Sequence, residues 1–179
     1  MFGFNTYNIN ETMNIDKLDT HNVVDMEKMF QYTKYDKLSL LEFNTSKVTN
    51  MNDMFFASKI RELDISKFNI NSIQTLKNMF FISTIDTLKL FDIPSGINVS
   101  NMLAYSNIDK LILGKMNIGH DNQELKSVFA GANINKIILT DKSKDTIGSL
   151  HKMLESTIRE MEDKPIIGNF SQISTLCGI

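Results

Sequence analysis

The hydrophobic pattern changes period within a unit that returns several times along the chain. In KLSLLEF, residues 37–43, apolar and polar positions alternate through Leu38, Ser39 and Leu40, the mark of a strand with one buried face. In VTNMNDMF, residues 48–55, the apolar positions are Val48, Met51, Met54 and Phe55, the spacing of one helical face. The pattern therefore predicts a strand followed by a short helix. Residues 23–30, VVDMEKMF, and residues 73–80, IQTLKNMF, repeat the second half.

The recurrence has a fixed interval. Met29-Phe30, Met54-Phe55, Met79-Phe80, Met102-Leu103, Val128-Phe129 and Met153-Leu154 are successively 25, 25, 23, 26 and 25 residues apart. Nine residues after the first member of the first five pairs comes an alternating segment, beginning at Leu38, Leu63, Leu88, Leu111 and Ile137. Met13-Asn14-Ile15 fits one unit earlier, and Ile158–Met161 copies Ile60–Leu63, which predicts a degraded final strand near Met161. Two further columns are apolar: Leu18, Phe43, Phe68, Ile93 and Met116 after the strands, and Tyr35, Ile60, Ile85, Ile108 and Ile134 at their starts. Asp19, Asn44, Asn69 and Asn117 form an Asx column, interrupted by Pro94, that suits turns and helix N-caps.

One such unit cannot bury its own apolar side, but stacked copies can. The expected fold is an α/β solenoid, leucine-rich-repeat-like, with about six to seven strand-plus-short-helix units of about 25 residues and a parallel strand ladder. Residues 1–163 form the solenoid, with residues 1–10 as N-terminal cap. The apolar segment 164–179, KPIIGNFSQISTLCGI, is the C-terminal cap of the same domain.

The segments FNTSKVTNMNDMF and ELDISKFNINSIQTLKNMF resemble the repeat of the BspA-type leucine-rich repeat family: a Leu-Asp-Leu strand, then Phe-Asp/Asn-Thr-Ser-x-Val-Thr-Asn-Met-x-x-Met-Phe. The likeness is closest over residues 36–83 and weakens through 86–161. Ala57-Ser58 and Ile82-Ser83 stand where the family often has Gly-Cys. The resemblance implies a surface adhesin or interaction protein of bacteria or protists.

Composition narrows the function classes. The 179 residues carry a net charge of −2, with Lys and Arg scattered, so nothing marks a nucleic-acid or anionic-membrane footprint. The single cysteine, Cys177, cannot form an intramolecular disulfide or a cysteine-based zinc site. Neither a signal-peptide pattern nor an apolar run of about 18 residues is present. These features predict a cytoplasmic protein, with the cell surface as the alternative if a leader or parent chain is missing.

No chemistry converges. His21, His120 and His151 fall at non-equivalent positions of different units, and HExxH, phosphate-loop and nucleophile-elbow motifs are absent. Asp64, Asp86, Asp92 and Asp109 do not form a regular column, and the Gly- and Asp-rich nonapeptide of a calcium-binding β-roll is missing. The repeat-locked methionines read as core rather than as an adaptable groove. No catalytic residue, metal or cofactor is expected.

The remaining candidate surface is the outward face of the strands: Asn14, Ser39 with Leu41, Asp64 with Ser66, Lys89 with Phe91, Ile112, and Ile138 with Thr140. Phe91, Ile112 and Ile138 are apolar in successive units, and exposed apolar neighbours mark contact surfaces. The expected partner-binding residues are Leu41, Lys89, Phe91, Ile112 and Ile138. The expected function is a monomeric, non-enzymatic protein-binding module. It reads as an intracellular binder or inhibitor of another protein, such as one encoded by a phage or mobile element against a host or defence factor. The alternative is a fragment of a cell-surface adhesin.

Overall fold

A computed structural model describes residues 12–15, 18–118, 125 and 127–161. The strands are β1 (Thr12–Asn14), β2 (Lys34–Ser39), β3 (Lys59–Asp64), β4 (Thr84–Lys89), β5 (Asn107–Leu113) and β6 (Asn133–Leu139), followed by the helix α1 (Lys144–Met161). They form one parallel sheet in the order β1-β2-β3-β4-β5-β6, so each strand pairs with the strand of the next unit. The architecture is a parallel-strand β-solenoid with few helices.

The inward strand columns are those the alternation predicts. Tyr35, Ile60, Ile85, Ile108 and Ile134 lie level with one another and are buried, as are Leu38, Leu63, Leu88, Leu111 and Ile137. Two aromatic stacks run through the interior. Phe30, Phe55 and Phe80 stack at 5.3 Å between successive ring centroids, while Phe43, Phe68 and Phe91 stack at 6.5 and 6.4 Å. Burying each ring contributes about 1.5–3 kcal/mol.

The wall opposite the sheet departs from the sequence expectation: Val48–Phe55 and its copies are successions of turns rather than short helices. Their spacing in threes has a different cause. Met29 N–H bonds Met26 O, Gln31 N–H bonds Lys28 O and Thr33 N–H bonds Phe30 O, each closing three residues back. Alternate amides then leave the segment: Met26, Lys28, Phe30 and Tyr32 donate to Asn50, Asn52, Met54 and Phe56 of the next coil at 2.8–3.1 Å. A helix would keep those bonds within the segment, four residues back. Lys28, Tyr32, Asp53, Ala57, Asn78, Ile82, Asn101, Tyr105 and Ser127 sit at φ of 51–59°, the left-handed region that no α-helix enters.

Asx residues govern the corners as expected, although they lead into turns. Asp19, Asn44 and Asn69 accept from the amides of His21, Ser46 and Asn71 at 3.0–3.1 Å. A second set at Asp25, Asn50 and Asn98 does the same for Glu27, Asn52 and Ser100. Asp25, Asn50, Thr75 and Asn98 also bridge from coil to coil.

At the C-terminal end, residues 144–161 form α1, including the expected strand near Met161 and the Met153-Leu154 pair. Ser143 caps it, its Oγ accepting from Thr146 N–H at 3.3 Å. Thr146 Oγ1 and Ser149 Oγ accept the amides of Met116 and Ile118 at 3.1 and 3.0 Å, so hydroxyls replace the carbonyls of a further coil. Met153 and Leu154 are buried residues of this helix. The expected caps at 1–10 and 164–179 lie outside the described residues. Leu18, expected inward, is 42% exposed at the first described corner, where no earlier described coil covers it.

Candidate functional site: the outward face of the sheet

Between the two inward residues of each strand stand two outward ones, so the face carries four levels of side chains. The first level holds Lys34, Lys59, Thr84, Asn107 and Asn133. Asp36, Arg61, Asp86, Asp109 and Asn135 form the second, between flanking register pairs. Asp86 and Asp109 are therefore level after all, whereas Asp64 lies in another level and Asp92 at a corner, where it accepts Lys115 N–H at 2.7 Å. The third level is Lys37, Glu62, Thr87, Lys110 and Lys136. The fourth runs Ser39, Asp64, Lys89, Ile112 and Ile138.

Opposite charges meet across the earlier strands. Arg61 donates two bonds to Asp36, at 2.5 and 2.8 Å, and they hold the Asp36 carboxyl below its ordinary value. Lys37 and Glu62 stand 3.9 Å apart, and Lys89 and Asp64 3.2 Å. Burial would raise the Asp64 carboxyl; hydrogen bonds from Ser66 and Lys89 outweigh it, and the net shift is downward. On the later strands amides take over: Asn133 bonds Asn107 at 2.8 Å, and Asn135 bonds Asp109 at 3.0 Å.

Four of the five residues expected to bind a partner reach this face. Leu41 is 58% exposed; Lys89, Ile112 and Ile138 point outward and are partly exposed. Neither isoleucine belongs to the core cluster. Leu41, Lys89 and Ile112 share with Lys37, Ser39 and Asp64 a shallow depression of about 410 Å³ across β2–β5.

Phe91 does not belong with them. It is 1% exposed, and its ring stacks on Phe68. The unit from Met79 to Met102 is shorter than its neighbours, and after β4 the local turn that places Phe43 and Phe68 is replaced by pairing of Ile93 with Met116. Phe91 fills the aromatic position that Ile93 vacates. Across this corner a second depression, of about 450 Å³, is lined by Asn69, Asn71, Asp92, Pro94, Lys115 and Asn117.

One surface feature escaped the sequence reading. Tyr32, Phe56, Phe81 and Tyr105 form a ring-to-ring ladder along the turn wall, with centroids 5.4–5.6 Å apart and both tyrosines exposed. The available signal was an aromatic one or two residues after Phe30, Phe55, Phe80 and Leu103. Because Phe56 and Phe81 stack face to face, the ladder presents mainly ring edges.

The histidines remain apart. His21 lies beside Asp19, His151 beside Glu155, and His120 is outside the described residues. Among the described residues no group of three or more His, Cys, Asp and Glu is placed to hold a metal ion. No helix among them is long and apolar enough to cross a membrane. Cys177 lies outside the described residues.

Fold and face together define a repeat protein of the parallel β-solenoid class. The chain belongs to the family described as "Mycoplasma protein of unknown function, DUF285", whose model matches residues 1–112. No curated protein and no solved structure matches it.

Proposed function

We propose that the chain is a non-enzymatic protein-binding module acting through the outward face of its sheet, near the ends of β4–β6. The observation that carries this reading is the fourth level: after Ser39, Asp64 and Lys89 it becomes Ile112 and Ile138, register partners outside the core. Apolar pairs on an otherwise polar, paired-charge face are favoured where a partner covers them. Leu41 and Lys89 would extend the contact, and Phe91 has no direct part in it.

The finer description we propose is a leucine-rich-repeat-like stack of about six to seven units of the BspA type, supported by the Thr-Asn-Met-x-x-Met-Phe signature at residues 49–55. That likeness also favours a second reading, a surface adhesin, over an intracellular binder or inhibitor. Limited proteolysis of intact host cells separates the two, since only a surface protein is shaved.

The function is tested by placing a photo-crosslinking residue at Ile112, and at Lys77 on the turn wall as control, in the native host. A protein partner joined at position 112 and lost when Ile138→Glu is added to the probe-bearing chain, with the circular dichroism spectrum intact, supports the reading. Equal crosslinking at both positions, or retention by the variant, removes it.

A further inference from the structure

The sheet face is electrostatically divided. On β2–β4 the cations of the second, third and fourth levels have anions within reach, Arg61 having Asp36, Lys37 Glu62 and Lys89 Asp64, while the first-level register partners Lys34 and Lys59 lie at the opposite margin of the face from the isoleucines. Beyond β4 this compensation stops. Lys110 and Lys136 are register partners on adjacent strands, and neither side chain has an ion pair or hydrogen bond among the described residues. On the β4 side Lys110 meets Thr87, which brings no charge. The nearest carboxylate by level, Asp109, is engaged by Asn135.

Two like-charged side chains directly across a ladder, on strands about 4.8 Å apart, repel one another and destabilise the pair unless a counter-charge arrives. Two residues further along the same strands, Ile112 and Ile138 form an equally close apolar pair. The four side chains make a block two strands wide, cationic at one level and aliphatic at the next outward one.

We infer that this block receives an acidic–apolar segment of a partner protein, a carboxylate seated between the Lys110 and Lys136 ammonium groups and a neighbouring aliphatic or aromatic side chain covering Ile112 and Ile138. The inference rests on the protein-binding reading and names the chemistry of the partner. Charge complementarity selects an anion. The isoleucine pair on one side, and Asp86 and Asp109 level with each other on the other, disfavour the extended phosphate backbone of a nucleic acid, which would run its charge onto those carboxylates. A protein segment can place one carboxylate and then an apolar group within a few residues.

The test uses the full chain with isotope-labelled isoleucine methyls, titrated with twelve-residue peptides that carry one Glu and one Leu or Phe one to three positions apart in a Ser/Gly background. Peptides with Gln for Glu, or Ala for the apolar residue, are the controls, together with a single-stranded oligothymidine. The Glu–apolar peptides should shift the Ile112 and Ile138 methyls. Replacing Glu by Gln should weaken binding about tenfold, as expected for a charge-assisted contact. In Lys110→Gln/Lys136→Gln the Glu and Gln peptides should bind alike, with the thermal midpoint unchanged or raised. No shift at these methyls, equal binding of Glu and Gln peptides to the wild type, or tighter binding of the oligonucleotide there overturns the inference. A partner crosslinked at position 112 and retained by Lys110→Gln/Lys136→Gln also overturns it while the protein-binding reading stands. Loss of the crosslink preference for position 112 removes both.

Discussion

The ring of Tyr105 lies over Gly131 of the next coil: a β-carbon built on Gly131 would stand 2.6 Å from Tyr105 Cδ1 and 2.7 Å from Cε1. Gly131 is also in the left-handed region, at φ 61°. Its equivalents in other coils are Tyr32, Ala57, Ile82 and Tyr105, so the backbone conformation alone does not require glycine there. Gly131→Ala should therefore destabilise mainly through the displaced ring, with about 1 kcal/mol more for the left-handed backbone. A urea-denaturation double-mutant cycle with Tyr105→Ala checks this; the coupling should recover the ring component.

Phe55 is the middle member of a buried stack, while Phe56, its neighbour in sequence, belongs to the partly exposed ladder. Phe55→Ala should cost about 3–5 kcal/mol, as large core truncations do. Phe56→Ala should cost markedly less, about 1 kcal/mol. Equal losses in the two urea titrations would contradict the assignment of faces.

The corrected position of Phe91 yields its own test. Phe91→Glu would place a carboxylate against Phe68 in the core and should unfold the chain or remove most of its stability. Lys89→Glu, two residues away on the exposed face, should retain the native circular dichroism spectrum.

Acid should weaken the fold through its ion-paired carboxylates. Hydrogen bonding to Arg61 lowers the Asp36 carboxyl; for Asp64, bonds from Ser66 and Lys89 outweigh the upward effect of burial. Both groups bind protons more weakly when folded, so their stabilisation is present above the unfolded carboxylate value, about pH 4, and is lost as pH falls through the lower folded values. Urea midpoints should fall as pH drops below about 4, less steeply in Asp36→Asn/Asp64→Asn. Exposure and salt keep the difference small.

At the C-terminal end, Thr146 and Ser149 occupy the place of a further coil. Thr146→Val should leave the buried Met116 amide unsatisfied and cost about 1–3 kcal/mol. Hydrogen exchange should quicken at Met116 before it quickens within β3. Asp141→Ala should act more mildly, through loss of the bonds that Ser143 and Thr146 donate to its carboxylate.

The strands and their inward columns were legible because alternation and an interval near 25 residues both marked the same positions, Tyr35, Ile60 and Ile85 among them. The turn wall was not. A buried residue every third position satisfies a helical face and a series of three-residue closures equally well, and Val48, Met51 and Met54 meet both. Glycine would have announced the left-handed positions, but Lys28, Asp53 and Asn78 occupy them instead. For the candidate site, strand alternation located Lys89, Ile112 and Ile138; Phe91 was misplaced because alternation was carried past the end of β4, into a corner whose length had changed.

That change of length has a wider consequence. Between Leu90 and Asn98 the chain is two residues shorter than between Ile65 and Thr75, yet the pairing of Lys89 with Ile112 and the bridge from Thr75 to Asn98 both persist. The two ladders therefore tolerate a change of chain length at the exposed tip of this corner, residues 94–96, beyond the buried Phe91 and Ile93. Segments inserted there would alter one edge of the molecule without disturbing the stack, making this corner the natural graft point for new loops in an engineered or diverging copy.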